Sequence, residues 1–280
     1  MKPVRILTIA GSDSGGGAGI QADLKTITVL GGFGMSVITA LTAQNTLGVH
    51  GIHDVPPEFI AAQFDAVAGD IGVDAAKTGM LASSEIIRTV TGKVRQYGIA
   101  KLVVDPVMVA KGGASLIREE AKTTLIAELI PLAFVLTPNI PEAEVLSGIR
   151  IVTLDDMKKA AWIIRGLGAR HVVVKGGHLI GDAVDLLYDG DEFREFASPR
   201  IATADTHGTG CTYSAAIATA LGFGKDVRTA VAEAKRYITA AVRHAWRVGG
   251  GHGPTNHLAP LFDAGDGMTA ARPAGWGSAG

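Results

Sequence analysis

A single cysteine, Cys211, stands among 280 residues. One thiol cannot close an internal disulfide, which excludes a disulfide-stapled scaffold and points to a reduced, intracellular setting. Neither sign of charge prevails: 26 Lys and Arg face 27 Asp and Glu, for a formal net charge of -1. With no Lys/Arg cluster either, nucleic acid and anionic membrane are excluded as main partners. No apolar run is long enough to span a bilayer. The opening run from Val4 to Ala10 is too short even for the apolar part of a secretion signal, so the cytoplasm is the expected location. Aromatic residues are scarce at 5%. The eight histidines show no metal-ligand spacing; His252 and His257 in a glycine-rich stretch lack identifiable partners and read as loop or packing residues.

Hydrophobic residues reach 47% and glycines number 37, the profile of an α/β enzyme with many tight strand-to-helix turns. Apolar runs at Val4–Ala10, Met35–Ala40, Leu102–Asp105, Phe134–Thr137 and His171–Lys175 do not alternate, as expected of parallel strands covered on both faces. Helical patterns lie between and after them, at about Gly19–Leu30, Pro57–Ala68, Ser84–Gln96, Glu119–Glu128, Pro141–Ser147, Asp155–Leu167, Gly210–Leu221 and Asp226–Trp246. The stretch from Ala183 to Ala204, around Asp189-Gly190, reads as a β-hairpin. Regular strand–helix alternation predicts an α/β fold with a mostly parallel, doubly wound sheet and helices on both faces. No linker, repeat or composition break precedes Pro260. One domain over 1–260 is expected, with a disordered tail at 261–280.

Four segments carry candidate chemistry. Gly11-Ser-Asp-Ser-Gly-Gly-Gly-Ala-Gly19 joins the first strand to the first helix. It lacks the Gly-Lys-Ser/Thr ending of a P-loop. Gly17-Ala-Gly-Ile-Gln-Ala22 matches a loose dinucleotide pattern, but no acidic residue occurs between Asp23 and Asp54, where that reading needs one. Nicotinamide binding is excluded. Either the backbone approaches a ligand here, with Asp23 following, or this is a tight turn with Asp23 on a solvated face. Asp205-Thr-His-Gly-Thr-Gly-Cys211 opens a small-residue helix. A Gly-Thr-Gly turn at a helix start directs unpaired N–H groups and positive potential at one spot, an anion hole for a transferring phosphoryl group. In that first turn Cys211 is expected to have a lowered pKa and to act as a base; a small buried packing cysteine explains the same position.

Lys175 ends an apolar strand ahead of two glycines. It either neutralises phosphate charge or snorkels from a strand end. Asn139 and Glu142, around Pro141, either supply oxygen to a hydrated magnesium ion or form an ordinary helix cap. Asp105, after Val103-Val104, admits the same two readings.

These segments together closely resemble the bacterial hydroxymethylpyrimidine/phosphomethylpyrimidine kinases, a ribokinase-like family of thiamine biosynthesis. The resemblance runs from about Arg5 to His257. It rests on the Thr8–Thr26 glycine loop, Val37-Ile-Thr-Ala-Leu-Thr-Ala-Gln-Asn-Thr46, Lys77-Thr-Gly-Met80, Asp105-Pro-Val-Met108 and Pro138-Asn-Ile-Pro-Glu142. Lys175-Gly-Gly-His178, Thr206-His-Gly-Thr-Gly-Cys211 and Gly251-His-Gly-Pro-Thr-Asn-His257 follow in the family's order. It implies a ribokinase-like kinase that uses ATP and magnesium to phosphorylate a hydroxymethylpyrimidine and then its monophosphate, and that forms a homodimer. Carried over by position, Cys211 is the base and Gly208, Thr209 and Gly210 form the anion hole. Gly11, Asp23, Gln44, Met80 and Val107 contact the pyrimidine. Lys175 and Thr206 contact ATP, and Asp105, Asn139 and Glu142 surround magnesium, directly or through water. The rival reading is a pyridoxal kinase or a dual-substrate enzyme. By the family's pattern, members that specialise in B6 tend to lose the glutamine at the position of Gln44, so its presence favours the aminopyrimidine, whose ring nitrogens and amino group complement a side-chain amide. Ser14-Gly-Gly-Gly17 departs slightly from the family's usual loop, and the segment beyond Pro260 matches nothing in it.

Overall fold

The computed structural model describes residues 2–108, 116–177 and 181–259. His178 and the 261–280 segment lie outside them. Nine strands form one sheet in the order β3-β2-β1-β4-β5-β6-β7-β8-β9. They are β1 Arg5–Asp13, β2 Phe33–Asn45, β3 Gly48–Asp54, β4 Ala75–Thr78, β5 Leu102–Val104, β6 Val135–Leu136, β7 His171–Val174, β8 Ala183–Tyr188 and β9 Phe193–Ser198. The six from β2 through β7 are parallel. Antiparallel β3 extends one edge, and the expected hairpin β8–β9 extends the other. The helices are α1 Gly19–Val29, α2 Pro57–Asp70, α3 Ser84–Gln96, α4 Glu119–Thr124, α5 Ile140–Ser147, α6 Leu154–Arg165, α7 Thr209–Gly222 and α8 Val227–Arg243. Where the pattern predicts helix through Glu128, α4 gives way to a wider turn over Leu125–Leu129 and a tight one over Ile130–Leu132. There Pro131 withdraws an N–H from the ladder.

Two apolar layers cover the sheet, and strand periodicity assigns residues to them. Leu7, Ile9, Ala76, Leu102, Val104, Leu136 and Val172 face the core shared with α2 to α6. Ile6, Ala75, Val103, Val135 and Val173 face α1, α7 and α8. On that second face the next residues toward the strand ends are Thr8, Lys77, Asp105, Thr137 and Lys175. An apolar floor thus gives way to a polar row as the strands reach their carboxyl ends. That is where an open α/β sheet places its ligands. Among the described residues no helix is long and apolar enough to cross a membrane.

Candidate active site

The carboxyl ends of β1, β2, β4, β5 and β7 and the first turns of α5 and α7 surround one cavity of about 810 Å³. Gly11, Gln44, Met80, Asp105, Val107, Asn139, Glu142, Lys175, Thr206 and Gly208 through Cys211 all line it. Thirteen of the fourteen positions expected from the sequence therefore converge. The fourteenth is Asp23. It is wholly buried, with both carboxylate oxygens 2.9 and 3.0 Å from Lys77 Nζ and one accepting Thr8 Oγ1 at 2.6 Å. Its burial corrects the reading that puts it on a solvated face; it is not among the cavity-lining residues, whereas Gly11, Ser12, Asp13, Ala18 and Gly19 of the loop before it are. Burial presses its carboxyl upward, opposed by Lys77 and Thr8; with the ammonium this close, the ionised pair is the form the geometry keeps.

The glycine loop after β1 folds around Asp13. Its carboxylate accepts the amides of Gly15, Gly17 and Ala18 at 2.8, 3.1 and 2.8 Å, and His207 Nε2 at 2.8 Å. Burial alone raises the Asp13 pKa, but His207 and the amides outweigh it and hold the carboxyl below its usual range. The loop thereby docks on the turn that starts α7. At Gly208 φ is +79°, and an added Cβ would lie 1.8 Å from the Gly17 carbonyl oxygen. An added Cβ on Gly17 would meet His207 at 2.5 Å. Only two glycines can pack so closely. Gln44 sits beside this junction, its Oε1 accepting Thr42 Oγ1 at 3.1 Å and its Nε2 3.4 Å from His207 Nε2. A ring nitrogen that donates to Asp13 cannot also accept from Gln44, so the amide keeps donor capacity for a ligand.

Ser83, Asn139, Thr153 and Asp226 cap α3, α5, α6 and α8; α7, like α1, α2 and α4, begins without a side-chain cap, and of the four its start opens on the cavity beside Lys175 and Asp105. Its first amides are therefore left for a ligand. Thr209 Oγ1 turns back to the Thr206 carbonyl at 2.7 Å. Gly210 lies over an ion pair, Lys175 Nζ to Asp105 Oδ1 at 2.8 Å; an added Cβ would sit 3.3 Å from that Nζ. The snorkelling alternative for Lys175 is thus corrected, since its ammonium turns inward. Burial lowers its pKa, but Asp105 and Glu142 raise it further and keep the charge.

Cys211 is half-buried on the cavity wall. Burial pushes its thiol up to about 11; Lys77 draws it down, while Asp23 and Asp105 push the same way as burial. The expected lowering is therefore corrected, because dehydration outweighs the helix start. Asn139 and Glu142 form a reciprocal cap, Asn139 Oδ1 accepting the Glu142 amide and Glu142 accepting the Asn139 amide, both at 2.9 Å. The cap does not exclude the metal reading, because Glu142 also faces the cavity. Burial pushes its carboxyl up to about 7, against the pull of Lys175. No cluster of three or more His, Cys, Asp or Glu able to hold an ion occurs among the described residues. Two carboxylates beside an uncapped helix start suit magnesium, which keeps several waters and relies on substrate phosphates.

Sequence reasoning missed Lys77, Asp13 and His207. Nothing local marks Lys77 as buried, and the Asp13–His207 pair spans 194 positions.

The family model for phosphomethylpyrimidine kinase matches residues 13–256. The chain is 58% identical over 262 residues to the thiamine biosynthesis bifunctional protein ThiED of Geobacter sulfurreducens, covering 93% of this chain but 54% of that protein. It therefore spans about half of that relative. It is 52% identical over 261 residues to the hydroxymethylpyrimidine/phosphomethylpyrimidine kinase of Bacillus subtilis, covering 92% and 96% of the two chains. Among solved structures, the ADP complex of Bacillus subtilis pyridoxal kinase superposes with a TM-score of 0.86 at 43% identity, over 91% of this chain and 97% of that one.

Proposed function

The chain belongs to the phosphomethylpyrimidine kinase family, and from that premise we propose that it transfers phosphoryl groups from ATP to hydroxymethylpyrimidine and then to the monophosphate. The observation that carries this reading is one cavity in which an uncapped helix start, a thiol, the partly buried Lys175 and the Gln44 amide meet. In the first transfer the substrate hydroxyl oxygen forms a bond to the γ-phosphorus. The bond from that phosphorus to the β–γ bridging oxygen breaks and ADP leaves. The hydroxyl proton passes to the Cys211 sulfur as thiolate, while the amides of Gly210 and Cys211 face the charge on the moving group. Lys175 adds a fixed cation at the same place. Asp105 and Glu142 are the carboxylates suited to magnesium, with Asn139 placed to act through water. When bound, the ion would neutralise phosphate charge.

Gly11, Gln44, Met80 and Val107 form the pyrimidine side, with Gln44 supplying the polar contact. Thr206 contributes its carbonyl to the anion-hole turn. A homodimer is the proposed assembly, consistent with the exposed apolar residues Leu41, Leu47 and Ile52 on the β2–β3 arm. The reduced cytoplasm suits a half-buried thiol that must stay free.

The test is incubation with magnesium-ATP and a panel of hydroxymethylpyrimidine, its monophosphate and B6 vitamers, with product masses as readout. Successive gains of one and two phosphates on the pyrimidine are expected. Phosphate only on pyridoxal or pyridoxine would replace this reading with the one suggested by the pyridoxal kinase neighbour.

A further inference from the structure

Lys77 and Asp23 are both 0% exposed, and neither has a role in the reaction described so far. Their placement is specific. Lys77 rises from the polar row of the sheet on the face that carries α1 and α7. Gly79 leaves it room: an added Cβ there would lie 2.9 Å from Lys77 Nζ, and Gly79 itself lines the cavity shared with Cys211. From α1, the Gly19 amide is directed at the Cys211 sulfur. Asp23, one turn further along α1 on the same face, binds the ammonium at 2.9 and 3.0 Å. The pair is therefore within electrostatic reach of the thiol.

We propose that Lys77 is a positioning residue for the base: the ammonium end of the buried pair holds negative charge on the Cys211 sulfur, and Asp23 keeps that ammonium in place. This deepens the kinase reading, since it supposes that the thiolate receives the substrate proton. The groups facing the sulfur are Lys77 from β4, Asp23 and the Gly19 amide from α1, Asp105 after β5 and Lys175 after β7. Among the charged side chains, Lys77 acts on the thiol most strongly, ahead of both carboxylates. Its pull outweighs the push of its own partner. A neutral group at 77 leaves the sulfur with two nearby carboxylates and no adjoining cation of comparable effect.

Because Cys211 is the sole cysteine, iodoacetamide reports on it alone, without ATP, metal or turnover. In wild type, alkylation should climb about tenfold per pH unit between pH 7 and 9, tracking the thiolate fraction. Lys77→Met should slow alkylation about tenfold at each of those pH values, the equivalent of one pKa unit. Since this single change strands a buried carboxylate and threatens folding, the deciding variant is Lys77→Met with Asp23→Asn. It removes both charges together, and a melting temperature near wild type certifies its fold. Slower alkylation by this folded double variant supports the proposal; wild-type alkylation overturns it and leaves the pair a structural one. The kinase arm is separate. If alkylation slows while the first phosphoryl transfer keeps its rate, the electrostatic link stands and Cys211 is not the base.

Discussion

At the scale of the residue, Cys211 combines access to the cavity with poor solvation of its charge. A thiol held at about 11 is neutral near pH 7, and the thiolate gains population as pH rises toward that value. For the first transfer kcat/KM, which reports groups of the free enzyme, should therefore increase with pH, approaching tenfold per unit between pH 7 and 9. The second transfer should stay nearly flat, because a phosphate monoester with a second pKa of roughly 6 is already ionised. Cys211→Ala carries the same asymmetry. It should slow the first transfer by about 10²–10⁴, the usual contribution of a general base, and the second far less. Both are read by assaying the alcohol and the monophosphate as separate substrates. Equal losses in the two steps would mean that the thiol shapes the site without moving a proton.

At the scale of the element, the start of α7 depends on Gly208. Its positive φ favours glycine, and the Gly17 carbonyl occupies the space of any Cβ. Gly208→Ala should destabilise the fold by at least about 1–2 kcal/mol from the backbone alone. It should also raise the KM for ATP, because the loop must retreat from the amides assigned to phosphate in the proposed reaction. Thermal melting and ATP saturation curves check the two effects. Residues of this kind were legible in the sequence: glycines around Thr209, a helix start after them, and apolar strands ending in Asp105 and Lys175. The strands that escaped notice did so for physical reasons. β4 is only Ala-Ala-Lys-Thr, without a branched aliphatic or aromatic residue to signal it. β3 is an exposed edge strand with two glycines and two histidines, stabilised by pairing with β2 and not by burial. The inward turn of Asp23 was equally illegible. A carboxylate on a helix looks solvated until a lysine from a strand 54 positions away is found against it.

At the scale of the whole molecule, the proposed reaction has one cavity of about 810 Å³ receive the pyrimidine alcohol and its monophosphate in turn. The two should therefore exclude each other. Added monophosphate should raise the apparent KM for the alcohol while leaving the limiting rate of its consumption unchanged, in initial-rate assays that follow the alcohol directly. A fall in the limiting rate at saturating alcohol would require a second binding place. The same molecule-wide geometry bears on synthesis. The proposed anion hole is complete once the loop around Asp13 meets His207, whose amide and carbonyl are in turn held by Gly253 and Thr255. A ribosome releases the first of these segments early and the last only after Thr255 has cleared the exit tunnel. Until then the nascent chain holds a glycine loop with nothing to dock against, and no phosphate trap. Activity should thus appear late and all at once during translation, and a chain cut short before Thr255 should be inert, with no partial kinase activity.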